Sequence, residues 1–248
     1  MSDFNDIENV VDFYKNNSDM YTVHKTIYET FEKNAVEYNN NILLIQYTNT
    51  PGFGYLAFSW NWYLLVKSMP SQFSFLEIGV YKGRILALIQ LLSILFNKSV
   101  NIYGVSPLDT TGDKYSKYDS TNYLDCIKES FSKFQLPFTN TKLIQGLSQE
   151  QSAIETVKQQ EPYDIVFIDG CHDYDVVCLD IQNYSNMVKV GGYLVLDDAS
   201  SLLPYACGGG FLGHDDVGRA VNTILIKDTR FIHLYAVGHN RVWKRISE

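Results

Sequence analysis

The hydrophobic pattern of this chain changes near residue 70. Before that point, apolar residues recur every three or four positions, the spacing of amphipathic helices, in "IENVVDFYKN" and "VHKTIYETFEKNAVEY". The polar break "TNTPGFG" interrupts this pattern, and the aromatic segment "YLAFSWNWYLLVK" at residues 55–67 resumes it. We therefore predict a helical N-terminal extension over residues 1–70.

From residue 71 onward, short apolar runs typical of buried strands alternate with helical patterns. The predicted strands are "FSFLEIGV", "VNIYGVS", "TKLIQG", "YDIVFIDG" and "GGYLVLDDA". The segments between them carry helical spacing and are "GRILALIQLLSILFN", "TNYLDCIKESFSKFQ", "SQEQSAIETVKQQ" and "DVVCLDIQNYSNMVK". Strands that are apolar throughout and alternate with helices indicate a parallel sheet covered on both faces.

The C-terminal part departs from this alternation. A glycine-rich loop, "SSLLPYACGGGFLGHDD", leads into the helical pattern "VGRAVNTILIK", and two strand patterns joined by the turn "GHN" follow. Strands joined by so short a turn must be antiparallel. We therefore predict an α/β fold over residues 71–248, a doubly wound, seven-stranded, mostly parallel sheet with one antiparallel strand.

Composition and charge narrow the class of protein. The 248 residues are 46% hydrophobic, enough for a sizeable core, and the net charge of −8 argues against a nucleic-acid partner. The longest apolar run covers residues 85–96, short of the roughly 20 residues needed to span a bilayer, and the N-terminus lacks a signal pattern. The four cysteines form no CxxC pair. We expect a soluble, cytoplasmic protein with reduced thiols and no membrane partner.

A glycine-containing turn follows the first predicted strand, in "LEIGVYKGR". Gly79 would let the backbone approach a ligand, Gly83 would let the next helix start close by, and Glu77 is an acid in an apolar strand end, which is costly unless paired. Two glycines alone fit an ordinary tight turn equally well. Their spacing is not that of the dinucleotide fingerprint, which disfavours a nicotinamide cofactor.

Acidic residues follow two further strands. Asp169 ends the fourth strand, Asp197 and Asp198 end the fifth, and His172 lies three residues beyond Asp169. Carboxylates that converge at one sheet edge repel one another, and a divalent cation with oxygen ligands, such as Mg²⁺, Ca²⁺ or Mn²⁺, removes that penalty. His172 is suited to accept a proton near neutral pH. The alternative is that these acids cap helices and that His172 is an exposed loop residue.

The motif E-I-G-x-x-x-G after strand one, the alternation of strands and helices and the terminal hairpin together resemble class I S-adenosylmethionine-dependent methyltransferases, across roughly residues 71–248. The resemblance implies S-adenosylmethionine as the cofactor and residues 71–248 as the methyltransferase domain. It implies that the methionine end and ribose of the cofactor contact the turn after strand one, through Glu77, Gly79, Tyr81 and Gly83.

Two positions depart from the family pattern at the nucleotide end of the cofactor. Ser106 stands where an acid commonly ends strand two, and Asp109 could substitute for it. Leu147 stands where related enzymes often have an acid near adenine, whereas Ser148 is kept. The predicted cofactor contacts are completed by four further residues, Ser106, Asp109, Ser148 and Asp169.

The constellation D-G-x-H followed by D-D resembles the metal-dependent sugar O-methyltransferases of macrolide biosynthesis. The resemblance implies that Asp169, Asp197 and Asp198 bind Mg²⁺ or another divalent cation, that His172 is the general base, and that Asp169 also takes part in catalysis. The expected acceptor is a small molecule or glycan with a sugar hydroxyl. Two alternatives stay open, a catechol-type phenol acceptor and a catalytically silent cofactor-binding module, the second favoured by Ser106 and Leu147.

The remaining expectations concern parts outside this motif-bearing core. The N-terminal extension is expected to cover the acceptor site or to make subunit contacts in a homo-oligomer. Its aromatic residues could stack on a sugar or simply pack, and they are Tyr55, Phe58, Trp60, Trp62 and Tyr63. The glycine-rich loop around His214 is expected to be a lid whose acids, Asp215 and Asp216, cap the next helix. The other histidines, 24, 233 and 239, are expected to be structural.

Overall fold

The computed structural model describes residues 4–248, so the first three residues of the predicted extension lie outside it. The helices of this described part are α1 Ile7–Asn16, α2 Met20–Glu37, α3 Ile42–Asn49, α4 Ala57–Ser68, α5 Arg84–Leu95, α6 Tyr123–Lys133, α7 Gln151–Lys158, α8 Tyr174–Tyr184 and α9 Asp215–Thr223. The strands are β1 Gln72–Ile78, β2 Ser99–Ser106, β3 Thr141–Gln145, β4 Tyr163–Ile168, β5 Val188–Leu196, β6 Phe231–Val237 and β7 Asn240–Arg245.

The strands form one sheet in the order β3-β2-β1-β4-β5-β7-β6. The pairs among β1 to β5 are parallel, and β7 lies antiparallel to both β5 and β6. The predicted fold, with seven strands of which one is antiparallel, is therefore confirmed. The strand order reverses between β1 and β4, and open α/β sheets bind ligands at the carboxyl ends of strands beside such a reversal.

The N-terminal helices share a hydrophobic core with one face of the sheet. Trp62 of α4 is 1% exposed and packs edge-on against Phe75 of β1 and Phe167 of β4, with ring centroids 5.7 and 4.9 Å away. The indole nitrogen of Trp60 donates to the carbonyl of Phe4 at 3.0 Å. Both tryptophans therefore serve packing. The hydrophobic core runs continuously across residue 70, and the division of the chain into two domains at that residue stays a prediction.

The opposite face of the sheet is covered by α7, α8 and α9. Val157, Ile181, Tyr184 and Val221 of these helices are fully buried in a second apolar cluster. Within residues 4–248, none of the helices combines the length and the hydropathy that a bilayer-spanning segment needs. The two clusters leave the carboxyl ends of the strands uncovered by helices, and the polar residues of the chain collect there.

Candidate active site

Backbone pairing brings the ends of β1, β4 and β5 side by side. The amide of Asp169 donates to the carbonyl of Ile78 at 2.8 Å, and the amide of Asp197 donates to the carbonyl of Ile168 at 3.0 Å. Gly79 follows β1 with φ +98°, and a Cβ at this position would lie 2.0 Å from the carbonyl oxygen of Asp169. Glycine is therefore required for β1 and β4 to end in contact.

Two adjoining cavities open at this edge, of about 280 and about 300 Å³. The smaller one is bordered by the residues predicted for the nucleotide end of the cofactor, Ser106, Asp109, Leu147 and Ser148. The larger one is bordered by the remaining predicted residues, Glu77, Gly83, His172, Asp197 and Asp198. Both cavities share Gly79, Tyr81, Tyr118 and Asp169. The predicted site residues thus meet in one region, and their assigned roles stay predictions.

Buried carboxyl groups lie at the floor of the larger cavity. Burial, and then the charge of Asp197, raises the pKa of Glu77 to about 8. Burial also raises the pKa of Asp169 well above its ordinary value, and the neighbouring carboxylates Asp197 and Asp198 raise it further. Such groups ionise at neutral pH only when a positive ligand compensates their charge. The floor of the cavity is therefore suited to a cationic ligand.

Asp198 is the centre of a histidine cluster. Its Oδ1 lies 2.6 Å from Nδ1 of His239, and its Oδ2 lies 3.1 Å from Nε2 of His172 and 3.6 Å from Nε2 of His214. Burial alone would raise the pKa of Asp198, but the hydrogen bonds and charges of His172 and His239 lower it below its usual range. Asp198 adopts φ +53°, a left-handed conformation that is uncommon for aspartate and recurs at functional sites.

His239 was expected to be structural and lies inside this cluster. Burial alone would lower the pKa of His239, but the nearby carboxylates of Asp197 and Asp198 raise it to about 10. His239 lies in the β6–β7 turn, so antiparallel pairing of β7 with β5 carries it to the end of β5. The turn signal "GHN" alone gave no indication of this placement.

Asp113 was also missed by the sequence analysis. Its Oδ2 accepts from the backbone amide of His172 at 2.7 Å and lies 2.7 Å from Nδ1 of the same residue. Its Oδ1 accepts from the amides of Tyr115 and Ser116. Burial alone would lower the pKa of His172, but the carboxylates of Asp198 and Asp113 raise it. Asp113 therefore fixes the orientation of the His172 ring.

Two loops meet above the larger cavity, residues 107–122 and residues 200–214. Lys114 forms ion pairs with Asp216 and, at 3.3 Å, with Asp173. The ring of Tyr115 stacks on that of His214 with centroids 4.2 Å apart. His214 occupies the N-cap position of α9 without a side-chain capping bond. The acids that were expected to cap α9 therefore lie in its first turn instead.

The loop of residues 200–214 is held by the N-terminal extension. The amide of Phe211 donates to the hydroxyl of Tyr55 at 3.0 Å, and the amide of Cys207 donates to Nδ1 of His24 at 2.9 Å. A third contact joins the hydroxyls of Tyr14 and Tyr205 at 2.9 Å. Tyr55 also borders the larger cavity, so the extension contributes to the site, and the lid role of the loop stays a prediction.

The fold and the site together define a class I S-adenosylmethionine-dependent methyltransferase. The seven-stranded sheet, mostly parallel with β7 antiparallel, is that of the Rossmann-like methyltransferase fold. Residues 76–199, half of the chain, match the family model described as a methyltransferase domain. The chain belongs to that family, which confirms the resemblance stated from the sequence.

Comparison with individual proteins supports the fold. The chain is 31% identical over 128 residues to uncharacterized protein R132 of Acanthamoeba polyphaga mimivirus, a match that covers 50% of this chain and 51% of that relative. The structure of CalS11, titled a TDP-rhamnose 3'-O-methyltransferase, superimposes with a TM-score of 0.54 at 15% identity and covers 90% of this chain and 94% of that one. The structure of MycE, described in complex with Mg and SAH, superimposes with a TM-score of 0.50 at 20% identity. The match covers 82% of this chain and 53% of that one.

The residues of the site fit the cofactor that the family implies and the divalent cation that was predicted from the sequence. For the cofactor, Gly79 forms a cradle that a Cβ would fill, and Oε2 of Glu77 is buried without a hydrogen-bond partner among residues 4–248. For a divalent cation, the charges of Asp197 and Asp198 both raise the pKa of the Asp169 carboxyl, so the three acids are oxygen donors whose mutual repulsion a cation would relieve.

Proposed function

We propose that this protein is an O-methyltransferase that moves a methyl group from S-adenosylmethionine to a hydroxyl of a small-molecule acceptor. A sugar hydroxyl is the proposed acceptor, and a divalent cation assists the reaction. The observation that carries this proposal is the junction of the two cavities at Asp169, with His172 and Asp198 on the side away from the nucleotide pocket. The chain spans about half the length of the curated relative it matches, so these statements concern the chain itself.

The residues of the chain divide the work between binding and proton transfer. When bound, S-adenosylmethionine supplies an electrophilic methyl group on a sulfonium. Glu77 and Gly79 would hold its methionine end, and Asp109 and Ser148 its nucleoside end. Nε2 of His172 lies 3.1 Å from Asp198, and it would accept the proton of the acceptor hydroxyl when Asp198 turns to a bound cation instead. Asp113 holds Nδ1 and so keeps the ring in one orientation.

The acids after β4 and β5 have a separate task. Asp169, Asp197 and Asp198 would hold Mg²⁺, and a bound cation would lower the pKa of the acceptor hydroxyl and fix its direction. Positioning of the oxygen and methyl groups contributes further, because reacting groups held in line need less ordering in the transition state. Tyr55 and Phe211 border the larger cavity and offer aromatic surface to a sugar face.

Replacement of His172 by Ala tests the role of the base. We expect turnover to fall by about 10²–10⁴-fold, while the affinity for S-adenosylhomocysteine in calorimetry stays within about threefold. Asp175→Asn, on the exposed first turn of α8, is the matched control and should keep normal turnover. Wild-type turnover by His172→Ala would remove His172 from the mechanism.

The acceptor and the cation are tested with the wild-type protein. Methyl transfer to glycosides with free vicinal hydroxyls should exceed transfer to catechols, and a chelator should abolish it until Mg²⁺ is restored. Preferred methylation of catechols would favour the phenol-type enzyme. Binding of the cofactor without turnover on either acceptor class would support a silent binding module and contradict the proposal.

A further inference from the structure

Two imidazoles and one carboxylate converge from two connections of the fold. His172 lies between β4 and α8, whereas Asp198 and His214 lie at the two ends of the connection between β5 and α9. Each of these residues offers one ligand atom, and the three atoms lie within 4.8 Å of one another. We propose that these three side chains form a binding site for one borderline divalent cation, of the class of Zn²⁺, Fe²⁺ or Co²⁺. Its ligands include nitrogen atoms, so it differs from the oxygen-only magnesium site proposed above, with which it shares Asp198.

The distances between the three ligand atoms fit a single ion. Ligands held about 2.0–2.1 Å from a tetrahedral cation lie about 3.3 Å from one another. Oδ2 of Asp198 lies 3.1 Å from Nε2 of His172 and 3.6 Å from Nε2 of His214. These two distances lie within a few tenths of an ångström of the tetrahedral value, and the remaining pair of ligand atoms lies within 4.8 Å. Both rings already point the same nitrogen at the same oxygen.

The groups behind the ligands are those that metal sites use. A metal-bound histidine usually donates its other ring N–H to a carboxylate, which fixes its tautomer, and Nδ1 of His172 lies 2.7 Å from Asp113. The second oxygen of Asp198 is held by His239 at 2.6 Å. The ring of His214 is stacked on that of Tyr115. Each of the three ligands is thus oriented by a neighbour that is not itself a ligand.

The chemistry of the ligand set selects the cation. Magnesium prefers oxygen ligands, whereas two imidazoles and one carboxylate suit Zn²⁺, Fe²⁺ or Co²⁺ and leave positions open for water or a ligand. The three side chains border the larger cavity, so a cation has a route to them. His172 and Asp198 are largely buried there, and their separation from bulk water strengthens the interaction with a cation.

Occupation of this site has a consequence for methyl transfer, and this part rests on the proposed function. Nε2 of His172 cannot ligate a cation and accept a proton at the same time. A borderline cation would therefore inhibit turnover that Mg²⁺ supports. His214 would set how sensitive turnover is to inhibition by a borderline cation, because it is a ligand of the nitrogen-containing site and not of the oxygen-only magnesium site.

Titration of tag-free protein with Co²⁺ tests the site without any assay of turnover. We expect one Co²⁺ per chain with visible absorption bands of a nitrogen-ligated ion. His214→Gln should weaken binding by about 10-fold or more, as should Asp113→Asn through loss of the outer hydrogen bond. Asp169→Asn, the matched control, should bind within about threefold of wild type. Wild-type Co²⁺ affinity in His214→Gln, together with its loss in Asp169→Asn, would overturn the inference.

A second measurement uses only the wild-type chain, so it does not depend on the folding of a variant. A crystal soaked in Co²⁺ should give an anomalous peak within about 2.3 Å of Nε2 of both His172 and His214. A peak elsewhere at the sheet edge would overturn the site. Zn²⁺ should also inhibit Mg²⁺-supported turnover, and full turnover in saturating Zn²⁺ would refute the inhibitory consequence. Absence of any turnover with Mg²⁺ would contradict the proposed function, while the Co²⁺ results would still decide the site.

Discussion

Asp180 offers a direct test of how burial controls the stability of this fold. It lies on α8 and is fully buried, and burial raises its pKa from 3.8 to about 7, with Ser148 opposing the increase only in part. The difference between these values corresponds to about 4 kcal/mol of unfolding free energy, since a tenfold change in acidity is worth about 1.4 kcal/mol. A single carboxyl of α8 therefore makes stability depend on pH.

The sign follows from the order in which the two states ionise. Below about pH 4, Asp180 is protonated in both the folded and the unfolded chain, and its contribution to stability is fully present. As the pH rises toward 7, the unfolded chain releases its proton first, so stability falls until the folded carboxyl also ionises. Asp180→Asn cannot ionise and should not suffer this loss.

Urea unfolding of wild type and Asp180→Asn between pH 4.5 and 8.5, followed by tryptophan fluorescence, measures the effect. The variant should be more stable than wild type by about 1 kcal/mol at the acidic end and by about 4 kcal/mol at the alkaline end. Asp175→Asn on the same helix is exposed and should change stability by less than about 1 kcal/mol at every pH. Parallel pH profiles for wild type and Asp180→Asn would refute the reasoning.

Four further substitutions test the site, the loops and the core. Gly79→Ala would place a Cβ 2.0 Å from a carbonyl oxygen after β4, so calorimetry should detect no S-adenosylhomocysteine binding, and wild-type affinity would contradict this. Gly210→Ala, whose Cβ meets nothing within 4 Å, should cost only about 1–2 kcal/mol in urea unfolding. Trp62→Ala should destabilise the fold by about 3–5 kcal/mol in the same assay, and a loss below about 1 kcal/mol would show that its packing is not needed. Tyr55→Phe removes the acceptor of the Phe211 amide, so hydrogen exchange there should accelerate about fivefold, the equivalent of ~1 kcal/mol, and unchanged exchange would argue against this bond in solution.

The sheet could be predicted from the sequence because its signals are local. Apolar runs, helical spacing and the turn "GHN" each lie within about a dozen residues, and together they determine seven strands and the direction of β7. The common location of Asp169, Asp197 and Asp198 could be predicted for a related reason, since the carboxyl ends of parallel strands lie at one edge of the sheet. Their convergence needed no knowledge of any loop.

The rest of the site depends on contacts between segments far apart in the chain. Asp113 lies in a loop without helical or strand periodicity, and its contact with His172 spans 59 residues. His214 and His239 reach Asp198 through a glycine-rich loop and through the pairing of β7 with β5. Loop conformation is set by such tertiary contacts, and a single sequence carries no periodic signal for them.

The three contacts between the N-terminal extension and the loop of residues 200–214, at Tyr14, His24 and Tyr55, have a consequence for protein engineering. A loop grafted from a relative would replace Tyr205, Cys207 and Phe211, the loop residues that these three contact. A redesigned loop in this chain should therefore need an extension that is redesigned with it as one matched unit.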